Sequence, residues 1–432
     1  MPRLIWFGGG AVFAALIALA VSQAPLGSPL FFTLAAVPCV VYGLLLRHLI
    51  GGKPPAAEGI RDRLLVTALV FAVLFRVPLA VPKVGADNDM VRYLYDGRVQ
   101  RLGVNPFTIV PADPALAWTH TDETRRMPSI RARTPYPAAA QLFFRAVVTV
   151  WESSRAMKLA LVVCDLLTIA VLLAWLRASA RSPWLALVYA WNPLVILEVA
   201  HSGHIDALGA LWIAVSAWML STGRGMRAAI AFTMAVATKL LPIVLVPLYW
   251  GRVRVRDAVV ALAVLALFYV PFIGAGTVAL GSVPNVVEAI RFNGPLFRAL
   301  AALVRPSAAA AVAVAMGLSV AAWMRWRTTA DDPAAWAWPM AVALAAAPVI
   351  YPWYLLYFTP FLFTRRALPL IAWTYSVLPV YVVWELAHNY HHRWRVPVGV
   401  MIVEFGTIVM FAVLELRHRA PGTEHPDDRL HR

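Results

Sequence analysis

The chain has 432 residues, 61% of them hydrophobic and 14% charged, with a mean hydropathy of +0.70, a balance that excludes a water-soluble globular domain of this length. A net charge of +16 would suit a nucleic-acid binder, but the basic residues sit in short loops between apolar runs, which is the positive-inside pattern of a membrane protein. Cys39 and Cys164 both fall in apolar segments, so the chain shows neither a disulfide framework nor a zinc spacing.

A helix needs about 20 apolar residues to cross a bilayer core. In chain order the candidates are Leu4–Val21, Pro29–Leu46, Leu64–Val81, Met157–Leu176, Trp184–Ala200, Ile205–Leu220, Val259–Ile273, Ala308–Met324, Trp336–Ile350, Trp353–Phe363, Leu368–Leu386 and Val396–Leu414. Backbone polar groups must be satisfied within lipid, so the fold class is an all-α polytopic bundle of about 11–13 transmembrane helices. The first helix is expected to stay as an uncleaved anchor, because further spans follow it at once. Residues 1–420 read as a single transmembrane domain and 421–432 as a short polar tail.

Basic clusters set the sides: Arg47, Lys53, Arg61 and Arg63; Arg177 and Arg181; Arg224 and Arg227; Arg252, Arg254 and Arg256; Arg325 and Arg327; Arg365 and Arg366; Arg417 and Arg419. All are assigned to the cytoplasm, as are both termini, in a multi-pass plasma-membrane protein. Residues 226–250 then present a conflict, being long enough to span yet basic at both ends. A re-entrant hairpin with Lys239 and Pro242 at its apex resolves it, since Pro breaks the helix and Lys marks a turn buried in protein.

The outer side receives one long loop, residues 83–155, and shorter ones near His201–His204, Gly274–Pro295 and His388–Arg395. Loops of such length are usually functional or disordered, and this one contains aromatics, Asp, Arg and Pro rather than a linker composition. Within it, Asp89–Leu102 reads as a helix too polar to span, lying on the membrane surface. The stretch Asp87-Asn88-Asp89-Met90-Val91-Arg92-Tyr93-Leu94-Tyr95-Asp96-Gly97-Arg98, followed by Gly103-Val104-Asn105-Pro106, is the most informative. A carboxylate at the mouth of a membrane cavity suits deprotonation of a hydroxyl, and a neighbouring Arg suits a phosphate. On a helix Asp89, Arg92 and Asp96 share one face and Arg98 points elsewhere. Inside the spans, Arg76, Asp165, Glu198, Asp206, Lys239, Glu385 and Glu404 are costly in lipid and so are candidates for function or for pairing with one another, Arg76 with Asp165 or Glu198. His388, His391 and His392 read as an interfacial patch.

These motifs resemble the polyprenyl-phosphate-sugar-dependent glycosyltransferases of the GT-C superfamily, especially bacterial mannosyltransferase-like members. The resemblance rests on Asp89, Arg92-Tyr93, Asp96-Gly97-Arg98-Val99 and Gly103-Val104-Asn105-Pro106. It extends to Thr134-Pro135-Tyr136-Pro137-Ala138-Ala139-Ala140-Gln141, to Tyr189-Ala190-Trp191-Asn192-Pro193-Leu194 continuing through Glu198 to His201-Ser202-Gly203-His204-Ile205-Asp206, and to Lys239-Leu240-Leu241-Pro242. The later half matches only in hydropathy and in Tyr351-Pro352-Trp353-Tyr354, and Ala138 stands where the family pattern has a second proline.

The resemblance implies a GT-C-like bundle whose first outer loop carries the general base, at Asp89, with Asp87 as the nearest competitor. It implies transfer of a sugar, mannose in the members it is most similar to, from polyprenyl phosphate to a glycan, lipid or protein acceptor at the outer face, with inversion and without a metal or other cofactor. Arg92, Tyr93, Asp96, Arg98, Asn105, His201, His204, Asp206 and Lys239 are then expected to bind substrates, Lys239 holding the carrier phosphate. A transporter or flippase of lipid-linked saccharides is the alternative. It also needs buried charges and a broken helix, but the sequence has no internal repeat and its polar motifs gather at one face.

Overall fold

A computed structural model describes residues 1–52, 54–55, 62–81, 88–274 and 281–419. Asp87 and the tail 421–432 lie outside the described residues. The chain is a polytopic membrane protein built of helices. Among the described residues eight are long and apolar enough to cross a membrane: Leu4–Ser22, Pro29–Leu49, Arg63–Ala80, Ser154–Ala178, Val255–Phe272, Pro306–Arg327, Arg365–Asn389 and Val398–Arg417. A ninth candidate, Pro183–Ala190 with Pro193–His201, is bent by 52° where Asn192 and Pro193 interrupt it. The 11–13 helices expected from hydropathy also count Ile205–Leu220 and Trp336–Ile350, which form the shorter helices Asp206–Ser221 and Pro333–Ala345, comparable in length to the hairpin limb Gly225–Thr238. They count Trp353–Phe363 as well, which forms only the short tight helices Pro352–Tyr357 and Thr359–Phe361. Each of the three shorter apolar helices ends near a proline, a glycine or a charged residue before reaching full length.

The segment after Gly225 doubles back. It is α-helical to Thr238, extended at Lys239 (φ −161°, ψ 147°), and returns as a tight helix over Leu241–Tyr249. The Tyr249 ring meets Phe232 at 4.6 Å, and the Ser216 hydroxyl joins the two limbs through the Ala228 carbonyl (2.7 Å) and Tyr249 (2.5 Å). A Cβ on Gly225 would lie 3.5 Å from the Arg252 carbonyl, so the two ends adjoin.

The basic clusters meet at one end of the bundle. Arg252 donates to the Thr328 carbonyl and Arg325 to that of Trp250, Arg181 pairs with Asp331, Arg366 with Asp332 and Arg365 with Glu415. A buried ion pair ties the middle together: Arg76 binds Asp165 at 2.7 Å and donates to the carbonyls of Ala72 and Ala190, linking two spans to the bent one. In the last span Glu404 accepts from Trp373 (2.7 Å) and Asn293 (2.8 Å).

The polar helix of the outer loop forms over Asp89–Arg101, capped by the Asn88 side chain. It does not lie bare on a surface. Ten of its residues are buried, because the Ala138–Val150 helix packs on it so closely that a Cβ at Gly97 would come within 2.7 Å of the Phe144 carbonyl oxygen. Burial at that depth is tolerated because Arg92 and Asp96 neutralise each other within the contact.

Candidate active site

At the end opposite the basic clusters lies a cavity of about 490 Å³, within the usual range for small-molecule sites. Its lining combines the polar side chains of Asn88, Asp89, Arg126, Ser129 and His388 with an aromatic set, Tyr351, Trp353, Tyr381, Trp384 and Trp394, and with His204. Six stretches meet here: the turn at Leu26, the start of the polar helix, the loop near Arg126, the turn after the bent span, the segment of Tyr351 and Trp353, and that from Tyr381 to Trp394.

Asp89 occupies the first turn of its helix and is half-buried at the cavity edge. Enclosure by protein pushes its carboxyl up to about 6, against the lowering pull of Lys239; Asp206 raises it further, while Arg92 and a hydrogen bond from Tyr136 lower it. A carboxylate tuned to that value is suited to accept a proton near neutral pH.

Behind Asp89 stands a second charged group. Lys239 at the apex of the folded-back segment binds Asp206 at 2.6 Å and sits 3.6 Å from the centre of the Tyr354 ring. The sequence reading held Lys239 for a carrier phosphate; the structure gives it a fixed carboxylate partner and an aromatic face. Asp206 keeps one oxygen, Oδ2, without a hydrogen-bond partner among the described residues. Nearby, Glu198 accepts from the Tyr381 hydroxyl, and His204 Nε2 lies 3.3 Å from Glu198 Oε2. The His204 ring stacks on Trp353 at 4.0 Å and 7°, and Trp353 in turn on Tyr351 at 4.4 Å and 5°.

The other expected site residues are placed differently. Asp96 is wholly buried and accepts from Arg92 (2.8 Å), Thr134 (2.6 Å) and Gln141 (2.9 Å), while Arg92 also donates to the carbonyls of Ser129 and Ala132. This pair therefore ties the outer loop together, and Arg92 Nη2 is the atom of it left without a partner. Arg98 pairs with Glu152 (2.6 Å) and the Thr119 carbonyl, outside the cavity wall. Asn105 caps its own turn at Phe107 and donates to the Phe272 carbonyl. Tyr93 stacks on Phe144 at 4.6 Å and accepts from the Ile205 amide, bracing the turn that carries Asp206. His201 packs near Phe31 and bonds Ser202. Among the described residues no group of three or more His, Cys, Asp or Glu is arranged to hold a metal.

The turn between His201 and His204 depends on Gly203. Its φ is +74°, and a Cβ there would collide with the methyl end of Met90 and stand 3.2 Å from Lys158 Cγ. Met90 is the neighbour of Asp89, so this turn and the polar helix interlock.

Sequence reasoning missed Arg126, Ser129, Tyr381, Trp384 and Trp394, and quoted Tyr136 and Tyr354 only within motifs, without a role. The density of aromatics in the short outer loop near His388–Arg395 was visible, but read as an interfacial belt.

No protein family and no curated protein matches the chain. Among solved structures it is similar to ArnT from Cupriavidus metallidurans in the apo state, with a TM-score of 0.47 and 16% identity over 82% of this chain and 76% of that one.

Proposed function

We propose that the chain is a GT-C-type membrane glycosyltransferase that moves a sugar from a polyprenyl-phosphate carrier to an acceptor hydroxyl at the outer face, inverting and without a metal. The observation that carries this reading is Asp89: a half-buried carboxyl raised to about 6 at the wall of a cavity, beside a lysine-centred charge cluster. The motif resemblance of the first outer loop supports it independently.

In this reading Asp89 takes the proton of the acceptor hydroxyl as its oxygen attacks the anomeric carbon. The bond from that carbon to the carrier phosphate breaks, and the phosphate leaves with the electron pair. Lys239, 22% exposed and fixed by Asp206 and Tyr354, supplies a preorganised positive charge towards which the leaving phosphate's charge develops. The exposed apolar sides of the spans leave lipid-facing grooves for the isoprenoid tail. The basic end faces the cytoplasm by the positive-inside rule, which puts the cavity outside.

The test is to incubate the purified protein in detergent with radiolabelled polyprenyl-phosphate-mannose and saccharide, lipid and peptide acceptors. Label released to an acceptor or to water is expected. Binding of the lipid with the sugar–phosphate bond intact under every condition would instead indicate the transporter.

A further inference from the structure

The aromatic wall of the cavity has no task in the proton transfer, and its composition defines what the cavity takes. Tyr351, Trp353 and His204 form a continuous stack, and Trp384 meets Trp394 at 4.7 Å. Trp353 is almost closed off, whereas Trp394 is 44% exposed, so ring surface remains open at the rim. Lining the same cavity are Asn88, Arg126, Ser129 and His388, together with Asp89. The stack holds its side chains in place before any ligand arrives, so little further ordering is needed on binding.

Three ligand chemistries can be set against this wall. An alkyl chain would cover the rings but leave the half-buried Asp89 carboxylate without a partner in the cavity, which is costly. A phosphate would meet one arginine and, in the same cavity, the Asp89 carboxylate. A pyranose ring has an apolar C–H face for a tryptophan and a rim of hydroxyls for amide, hydroxyl, guanidinium and carboxylate, matching both sets of side chains at once. We infer that this cavity is a subsite for a saccharide acceptor, with Trp384 and Trp394 stacking on a sugar ring whose hydroxyl is presented to Asp89. The inference rests on the transferase reading above and names its acceptor class.

The experiment measures binding to the full chain in detergent by tryptophan fluorescence and by calorimetry. The probes are α-1,6-mannobiose and cellobiose, with glycerol as a polyol lacking a ring face and polyprenyl-phosphate-mannose as the donor. The disaccharides are expected to bind and glycerol not. Trp384→Leu and Trp394→Leu should each weaken disaccharide binding about tenfold, the scale of one lost stacking contact. Trp394→Phe, keeping a ring, should recover most of it, and thermal melting shows that the variants are folded. Unchanged disaccharide affinity in the folded leucine variants, or glycerol binding as well as the disaccharides, would overturn the inference. So would loss of donor affinity in those variants with disaccharide affinity intact, since the cavity would then belong to the donor. Wild-type protein that binds disaccharides at this wall yet never cleaves the donor would overturn the transferase reading while leaving the saccharide site standing.

Discussion

Two buried ion pairs lie within the same end of the molecule and differ in completeness. Arg92 and Asp96, 2.8 Å apart, have both Asp96 oxygens engaged, by Arg92, Thr134 and Gln141. Lys239 and Asp206, 2.6 Å apart, leave Asp206 Oδ2 without a partner and face Asp89 across a cavity edge. A saturated carboxylate, with both oxygens engaged, has no accepting capacity left and fixes the fold, although Arg92 Nη2 stays without a partner. An unsaturated one, with a free oxygen, retains that capacity, at a cost in stability. The motif that carries Arg92 and Asp96 thus holds the outer loop together, and Asp89, one turn earlier, lines the cavity as the proposed base.

The sharpest way to break this contrast is at Asp89. Asp89→Asn should lower sugar transfer about 10²–10⁴-fold, the range for a lost general base, with thermal stability not reduced, because the amide removes a charge that enclosure disfavours. In the wild type, transfer should be half-maximal near pH 6 and fall below it as the carboxyl takes up its proton. A flat rate between pH 5 and 8 would remove Asp89 from the mechanism.

Next in size is a saturated pair within the spans. Arg76→Met leaves Asp165 alone at 0% exposure and should cost about 3–5 kcal/mol of stability, seen as a large fall in the melting temperature. Changing Asp165 to Leu in the same protein should restore part of the loss.

Lys239→Met tests the unsaturated pair. Its ammonium is 22% exposed, so the stability lost should be smaller than for Arg76→Met, about 1–3 kcal/mol for the acceptor left behind. Donor affinity should drop about tenfold, equivalent to ~1.4 kcal/mol. The pH midpoint of transfer should also rise, since Lys239 is the strongest influence lowering the Asp89 carboxyl. A melting temperature that falls as far as in Arg76→Met, with donor affinity unchanged, would make Lys239–Asp206 a structural pair like the others.

The smallest effect belongs to Arg98, which the motif places beside the catalytic residues and the fold places against Glu152, each 29% exposed. Arg98→Ala should change stability by about 0–1 kcal/mol and transfer by less than twofold.

The spans, the broken segment at Lys239 and the polar helix after Asn88 were all legible, because hydropathy, proline and capping act within a few residues of themselves. That Arg92 and Asp96 share a helix face was legible too. What could not be read was that Thr134 and Gln141 close around them, a contact across about 40 residues of loop that turns a binding motif into a strut. Likewise Asp206 and Lys239 each stood out as isolated charges, yet 33 residues of chain separate them and only the doubling back at Lys239 joins them. The aromatic wall draws on Tyr351 and Trp394, which belong to different outer turns, so no local pattern announces it.

Gly203 adds a constraint of a mechanical kind. Because the methyl end of Met90 fills the space a side chain would need, and because φ there is +74°, the histidine turn and the base-bearing helix mesh like teeth of two gears. Any side chain at position 203 must displace the flexible end of Met90, the neighbour of Asp89, and take up a left-handed backbone that glycine alone adopts readily. A displacement of about 1 Å at a reacting group can cost about 10²-fold in rate, so under the proposed mechanism a substitution at Gly203 is expected to slow transfer without touching a substrate.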